Sequence, residues 1–366
     1  MAEDVLFEIG AEEIPAGAMP GILAQLKSLT ETKLAEHHLK YDAIRTMGTP
    51  RRIALMVDGA ADMSDELSER HKGPSASIAY DADGNPTKAA IGFARGKGID
   101  VADLVVEDGY IYAETKTVGV KAMDIFIQIL PELIHGLSFP KSMHWGNLDD
   151  KFIRPVRWML ALLGTAVIPV EFAGVRSSNF SRGHRFLGER GVLVQHPADY
   201  IKNLEDNFVI VDQDKRRDMI TKQLHDLAAS KNATIVWDDD LLEEVLYLVE
   251  YPTALCGSFD ESYLALPDAA VITPMKDHQR YFPLVDKDGK LLPMFFTVRN
   301  GDSHSLDVVA AGNERVLRAR LDDAKFFFNE DRKKALADRS EGLKKIVFQE
   351  GLGNLADKTE RLLALG

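Results

Sequence analysis

The uncharged stretch from Trp158 to Val170 constrains the fold more than any other part of the sequence. Its large apolar side chains must be buried, because removing such surface from water is the main favourable term in folding. The stretch is far shorter than the ~20 residues that span a bilayer, and Gly164 and Pro169 interrupt it. We therefore predict a buried helix over Val156–Leu163, followed by a strand, inside a soluble domain.

Two kinds of hydrophobic spacing occur along the rest of the chain. Val5–Gly10 and Arg52–Val57 have the composition of strands, and Ile14–Leu39 between them has apolar residues at helical spacing. The segment from Asn313 to the end is predicted to be helical. These patterns predict a multidomain α+β fold, with mixed sheets and packed helices in the N-terminal two thirds and a helical C-terminal segment.

The distribution of charge divides the chain further. The whole sequence has 44 basic and 57 acidic side chains, but residues 139–190 reverse this sign with eight Lys or Arg and four acids. A length of 366 residues fits about two or three domains of ~100–200 residues. We predict four parts: an N-terminal α+β core of residues 1–60 plus 139–190, an inserted α/β-hairpin module of residues 61–138, a second α+β region of residues 191–310, and a helical segment of residues 311–366 that begins a further domain.

Positive charge is concentrated beside aromatic rings in three short stretches: Arg154-Pro-Val-Arg-Trp158, Ser181-Arg-Gly-His-Arg-Phe186 and Met275-Lys-Asp-His-Gln-Arg-Tyr-Phe282. Cations neutralise phosphates and rings stack on unpaired bases, so RNA is favoured as a partner over duplex DNA. The net charge of −13 works against non-specific binding, so contact must come from such local patches. The candidate contact residues are Arg154, Arg157, Arg182, His184, Arg185, Lys276, His278, Arg280, Arg315, Arg318 and Lys325.

Each of these cations also has a purely structural interpretation. Surface arginines commonly pair with neighbouring carboxylates, and the charged face of the helix around Arg318 is typical of a solvated helix surface. Asp277 beside His278 raises a third alternative, a phosphoester hydrolase. No motif for a nucleophile, a phosphate loop or a metal site accompanies that pair. We therefore predict no catalytic residue and no metal ligand in this chain.

The cellular setting follows from the ends and from cysteine usage. The N-terminus has no signal-peptide pattern, and the single cysteine, Cys256, cannot form an internal disulfide. We expect a cytoplasmic protein with no membrane and no DNA partner.

Several motifs in order along the chain resemble one family, the beta subunit of the bacterial two-subunit glycyl-tRNA synthetase. The motifs are Leu6-Phe-Glu-Ile-Gly-Ala-Glu-Glu-Ile-Pro15, Thr49-Pro-Arg-Arg-Ile53, Gly84-Asn-Pro-Thr-Lys-Ala89, Gly92-Phe-Ala-Arg95, Phe139-Pro-Lys-Ser-Met143, Trp145-Gly146, Phe152-Ile-Arg-Pro-Val-Arg-Trp158, Arg182-Gly-His-Arg-Phe-Leu187, Val249-Glu-Tyr-Pro252, the Met275–Phe282 stretch and residues 313–327. They extend from residue 5 to about residue 355, over nearly the whole chain.

The resemblance implies a non-catalytic subunit of glycine–tRNA ligase. In the family, a separate catalytic alpha subunit uses ATP and Mg²⁺ to form the adenylate, and the beta subunit binds glycine tRNA. The assembly is an α2β2 heterotetramer, so this chain alone is expected to be inactive and to need no cofactor of its own. The resemblance also implies a first region similar to the B3/B4 domain of phenylalanyl-tRNA synthetase. An HD-type helical domain and an anticodon-binding domain would follow, and both are absent from this chain.

Two functions stay open on the sequence. In one, the chain contacts glycine tRNA and docks the alpha subunit. In the other, it is a structural scaffold of that subunit, and its arginines serve intramolecular pairs.

Overall fold

The computed structural model describes residues 2–81 and 83–366, and these residues form two compact units. The first unit extends to Gln213 and the second is Asp214–Gly366. The boundary falls inside the predicted region 191–310, and the finer four-part division stays a prediction. Within the described ranges, no helix has both the length and the apolar content that crossing a membrane requires.

The first unit contains twelve strands and five helices in the part that the structure describes. The strands are β1 Glu3–Ala11, β2 Ala43–Thr49, β3 Arg52–Ala60, β4 Leu67–Ser75, β5 Val105–Glu107, β6 Tyr110–Thr117, β7 Val156–Leu163, β8 Ala166–Val167, β9 Glu171–Phe172, β10 Val175–Ser178, β11 Phe180–Ser181 and β12 Val192–Leu193. The helices are α1 Met19–Glu36, α2 Ala76–Ala79, α3 Lys88–Lys97, α4 Ala122–Gly136 and α5 Tyr200–Glu205.

A seven-stranded sheet is the centre of this unit. Its order is β2-β3-β1-β7-β10-β9, with β8 paired to β7. All pairings are antiparallel except the parallel pair of β7 and β10. The β1–β7 register places Glu8 opposite Leu160 and Gly10 opposite Trp158, which fixes the floor of the site described below.

Both faces of this sheet are covered. Helix α1 buries Met19, Ile22 and Leu26, and it contacts β2, β3 and α4. A second apolar cluster joins Leu6, Leu160 and Leu162 of the sheet to residues 194–211 around α5. Strands buried on both faces lose the alternation of polar and apolar residues, and β7 shows this in full.

The predicted helix over Val156–Leu163 is wrong, because this segment is strand β7. A short apolar run has the same composition whether it forms a buried helix or a fully buried strand, so spacing alone cannot separate them. The β-branched Val156 and the aromatic Trp158 at its start favour the strand that forms.

A smaller three-stranded sheet, β4-β6-β5, packs against α3 within the same unit. Its core is small and rich in alanine, joining Ala90 and Ala94 of α3 to Ile111 and Ala113 of β6. Thr87 caps α3 by accepting a hydrogen bond from the Ala89 amide.

The second unit combines a four-stranded sheet with several helices. Its elements are α6, which starts at the boundary as Gln213–Lys231, β13 Thr234–Ile235, α7 Asp239–Leu246, β14 Pro252–Ser258, α8 Asp268–Thr273, β15 Phe282–Val285, β16 Leu291–Asn300, α9 Leu306–Arg332, β17 Val347–Gln349, β18 Gly353–Asn354 and α10 Leu355–Leu365. The sheet order is β13-β15-β16-β14, and all three of its pairings are antiparallel. The predicted helical C-terminal segment is confirmed for α9 and α10, with a short hairpin between them.

The core of the second unit lies between its sheet and α9. Leu317 and Leu321 of α9 are fully buried against Phe295 and Tyr281. The two units together confirm the predicted α+β class with mixed elements.

Tyr281 provides a pH-dependent contribution to the stability of this core. Its ring stacks on Phe295 at 4.4 Å between centroids, and burial raises the pKa of its phenol to about 12. The unfolded chain releases this proton near pH ~10, before the folded chain does, so the free energy of unfolding is expected to fall between pH ~10 and pH ~12. Urea unfolding across this range measures the fall, and Tyr281→Phe should reduce it while keeping the ring. Equal losses in parent and variant would contradict the assignment.

Candidate nucleic-acid interface

An arginine-lined cavity of about 390 Å³ lies in the first unit. Its lining comes from the end of β1, the start of β3, β7 and the loop after β11. The residues are Ala11, Glu12, Arg51, Arg157, Arg182, Gly183, His184, Arg185, Gly188, Glu189 and Arg190. Five arginines against two glutamates give the cavity a positive charge within a chain of net charge −13.

A buried polar network holds the floor of this cavity. Glu8 is fully buried, and its carboxylate accepts hydrogen bonds from Trp158 Nε1, Tyr200 Oη and Ser181 Oγ, the last at 2.7 and 2.9 Å. The guanidinium of Arg52, also fully buried, lies 3.6 Å from Glu8 Oε2. These hydrogen bonds hold the buried Glu8 carboxylate in one orientation. Because Trp158 donates one of them, the position of its ring is fixed as well.

Trp158 supports three of the arginines. The guanidinium carbons of Arg51 and Arg52 lie 5.5 Å from the centre of the indole ring, and that of Arg182 lies 4.8 Å from it. Cations over an indole face are attracted by the ring quadrupole. Strand β1 passes under the ring at Gly10, where any Cβ would come within 1.9 Å of Trp158 Cε2.

Arg182 lies close to several other arginines. Partial burial lowers the pKa of its guanidinium, and repulsion from Arg157, Arg190 and Arg52 lowers it further, while Glu12 acts in the opposite direction. Arg182 donates a weak hydrogen bond to the Arg157 carbonyl oxygen at 3.4 Å. An anion placed here would relieve that repulsion.

Glu12 is the acid that partly balances the cavity. Its carboxylate accepts a hydrogen bond from Arg185 Nη2 at 3.1 Å and forms an ion pair with Arg157, whose Nε lies 3.2 Å away. The Glu13 carboxylate lies 3.8 Å from Arg185 Nη1. These side chains are all partly exposed, so each pair stabilises the fold by less than about 1 kcal/mol.

The glycines and His184 shape the loop that carries Arg182 and Arg185. A Cβ on Gly188 would lie 2.4 Å from the Asn207 carbonyl oxygen, and one on Gly183 would lie 2.9 Å from Asn207 Cβ. His184 is buried, and its Nδ1 faces the Phe186 and Leu187 amides at 3.4 and 3.3 Å. Gly183 and His184 therefore serve loop packing here, while the flanking arginines point into the cavity lining.

The first-unit candidates do not all converge. Arg157, Arg182, His184 and Arg185 line the cavity. Arg154 instead donates to the backbone oxygens of Glu13 and Ile153 at 3.1 and 3.0 Å.

The second-unit candidates near β15 are mostly paired with acids. Lys276 forms an ion pair with Asp238, which raises the pKa of the lysine and lowers that of the aspartate. Arg280 donates to Glu244 Oε1 from two nitrogens at 2.9 and 2.7 Å. His278 is exposed at the end of a single turn of π-helix over residues 274–278.

Three candidates lie on α9. Arg315 and Arg318 are exposed, and the Lys325 ammonium lies 5.4 Å from the centre of the Tyr263 ring. Leu317 and Leu321 bury the opposite side of the helix, as the spacing predicts.

Sequence reasoning missed several residues of the cavity. Glu12, Arg51 and Arg190 belong to its lining but carried no signal beyond their charge. Phe186 was seen only as part of a basic–aromatic stretch, yet its side chain is 85% exposed beside the cavity. Among the described residues, no group of three or more His, Cys, Asp or Glu side chains is arranged to hold a metal ion.

Comparison with known proteins identifies the family. A family model described as glycyl-tRNA synthetase beta subunit matches residues 5–366. The chain belongs to this family. A "Glycine--tRNA ligase beta subunit" from Desulforamulus reducens is 46% identical over 369 residues, covering 100% of this chain and 53% of the relative. Proteins of the same description from Clostridioides difficile and Moorella thermoacetica are 48% and 47% identical, covering 99% and 100% of this chain and 53% of each relative.

The family resemblance inferred from the ordered motifs is therefore confirmed. The chain spans about half the length of the curated relatives it matches. Four of the motifs that carry the resemblance, Leu6–Pro15, Thr49–Ile53, Phe152–Trp158 and Arg182–Leu187, contribute residues to the cavity lining.

Proposed function

We propose that this chain is a tRNA-contacting and alpha-subunit-docking part of a glycine–tRNA ligase beta subunit. In this proposal, the catalytic alpha subunit uses ATP and Mg²⁺, and the beta subunit supports attachment of glycine to tRNA within an α2β2 assembly in the cytoplasm. The observation that carries the tRNA contact is the arginine cavity of a family member whose overall charge is strongly negative.

The charge balance favours a phosphate-bearing partner at the cavity. Binding of a polyanion releases the cations condensed on it, and this term drives most association between proteins and nucleic acids. An acidic chain gains that term only where basic groups are concentrated. Five arginines around one 390 Å³ cavity are such a place.

The geometry also prepares the cavity for phosphate. A guanidinium presents a planar fork of N–H donors that matches two phosphate oxygens. Arg182 is held over the Trp158 ring, and the ring is held by Glu8, so little freedom is lost when a phosphate arrives. The role proposed for these residues is to bind and orient the RNA backbone, with no bond made or broken in this chain.

Charge removal at Arg182 tests the proposal. Its guanidinium forms no ion pair with a carboxylate within 4.0 Å among the described residues, so Arg182→Gln leaves no such acid unpaired. We expect the holoenzyme, assembled from alpha subunit and full-length beta subunit, to bind glycine tRNA roughly ten-fold more weakly. The slope of log K against log salt should also become shallower by about 0.7–0.9, as one phosphate contact is lost. Filter binding at several salt concentrations measures both.

Arg176→Gln is the matched control. Arg176 is an exposed arginine of β10 in the same unit, and it pairs with the exposed Glu171 at 2.9 Å outside the cavity. It should leave both affinity and slope unchanged. Equal behaviour of the Arg182 and Arg176 variants would refute a tRNA contact at the cavity.

A specific set of contacts favours the scaffold function as the second candidate. Arg157, Arg185, Lys276 and Arg280 each pair with a carboxylate of this chain. If Arg182→Gln and Arg185→Gln lower the melting temperature without changing tRNA affinity, while the alpha subunit is still bound, the scaffold function is supported.

The hydrolase alternative gains no support from the geometry. Within the described ranges, no hydrogen bond or ion pair joins the side chains of Asp277 and His278. The similarity of the first unit to a B3/B4 domain stays a prediction, as does continuation of the longer relatives into HD-type and anticodon-binding domains.

A further inference from the structure

Phe186 is an exposed aromatic side chain with an unusual position. It is 85% exposed, although burying an aromatic ring normally stabilises a fold by about 1.5–3 kcal/mol. It directly follows Arg185, and its ring centre lies 6.2 Å from that of His184, and both of these residues line the arginine cavity. A large apolar ring next to two residues that line a cationic cavity can offer a ligand a stacking contact in addition to the ionic one.

The loop holds this ring in place from below. Asn207 anchors both ends of the loop, since its carbonyl oxygen accepts from the His184 amide at 2.9 Å and its side-chain oxygen accepts from the Glu189 amide at 3.1 Å. Gly183 and Gly188 allow this close approach, because a Cβ at either would meet Asn207 within 3 Å. The exposure of Phe186 is therefore set by a tightly packed loop.

The cavity also holds a carboxylate where a ligand's phosphate would bind. The Glu12 carboxylate forms ion pairs with both Arg157 and Arg185, as a phosphate would. These pairs are partly exposed and weak, so a phosphate that also reaches Arg182 and Arg190 can displace the single carboxylate. Arg182 and Arg190 line the same cavity, and both lack a carboxylate within 4.0 Å among the described residues.

We propose that this cavity binds a phosphate of RNA next to an unpaired nucleotide whose base stacks on Phe186. A duplex satisfies the arginines but leaves its bases stacked on each other, so only a single strand or an unpaired end makes both contacts. The inference rests on the proposed tRNA contact and deepens it, since it names an unpaired segment as the ligand. The incoming phosphate replaces the Glu12 carboxylate as the ionic partner of Arg157 and Arg185.

The test uses the 366-residue chain with two probes. One is a short single-stranded oligoribonucleotide with a 5′-phosphate, and the other is the blunt duplex formed with its complement. Fluorescence anisotropy should show tighter binding of the single strand. Phe186→Ala should weaken single-strand binding roughly ten-fold, which is within the range for loss of one base stack, and should leave duplex binding unchanged. Phe186→Tyr should restore the affinity.

Phe327→Ala is the matched control, because Phe327 is an exposed phenylalanine of the second unit at 62% exposure. It should leave binding of both probes unchanged. Glu12→Gln should tighten binding of the phosphorylated strand, since the arginines lose their internal competitor.

Two results would overturn the inference: equal affinity of parent and Phe186→Ala for the single strand, or duplex binding as tight as single-strand binding. If either occurs while Arg182→Gln still weakens tRNA binding by the holoenzyme, the inference fails and the proposed function stands. If Arg182→Gln is also without effect on tRNA, both fail.

Discussion

Replacing Glu8 by alanine is expected to destabilise the chain by about 3–5 kcal/mol, because it removes one partner of a fully buried ion pair. The change also removes the acceptor shared by Trp158, Ser181 and Tyr200. Such a loss is a large fraction of the ~5–15 kcal/mol that holds a domain folded. Urea unfolding of parent and variant measures it.

Glu171→Ala is the control for this prediction, since it breaks the exposed pair of Glu171 with Arg176 in the same unit. It should cost less than about 1 kcal/mol.

A second variant keeps the test decisive if Glu8→Ala does not fold. Replacing both charges, with Glu8→Leu and Arg52→Met, should recover part of the lost stability, because a buried pair exchanged for apolar groups is often near neutral. A double variant no more stable than Glu8→Ala would argue against the pair as the cause.

Sequence patterns predicted the helices whose apolar residues recur with a clear period. They failed for strand β7, whose apolar residues show no such period. Helix α1, within the predicted Ile14–Leu39, and the helix α9 both form as predicted from the sequence. Strand β7 has seven buried residues among eight, so its sequence carries no period to read. Its pairing with β1, about 150 residues earlier in the chain, is a tertiary contact that the local sequence does not show.

The residues of the candidate site were also predicted only in part from the sequence. Charge and aromatic content singled out Arg157, Arg182 and Arg185, and the structure brings these three around one cavity. Glu12, the partner of Arg157 and Arg185, is 145 residues before Arg157 in the chain, so its role depends on the β1–β7 register. Phe186 could not be separated from a core phenylalanine by sequence, because exposure is a property of the folded loop.

Gly10 links the fold to the site, and its substitution is the second large effect. A Cβ at this position would lie 1.9–2.4 Å from three atoms of the Trp158 ring, and the ring is itself held by Glu8. Gly10→Ala is therefore expected to cost about 1–3 kcal/mol through overpacking. It should also displace the indole that supports Arg182, and so weaken the tRNA binding that we propose for the holoenzyme.

Gly21→Ala is the matched control, because a Cβ there meets nothing within 4 Å and the position lies inside helix α1. It should be neutral or slightly stabilising. Trp158→Leu removes the ring that the new Cβ of Gly10→Ala would contact. The double variant should therefore lose less free energy of unfolding than the two single variants lose in sum. Urea unfolding of the four proteins gives the coupling free energy. Additive costs would show that the ring moves aside freely, and that Gly10 is not what holds Trp158 and the arginine cavity in register.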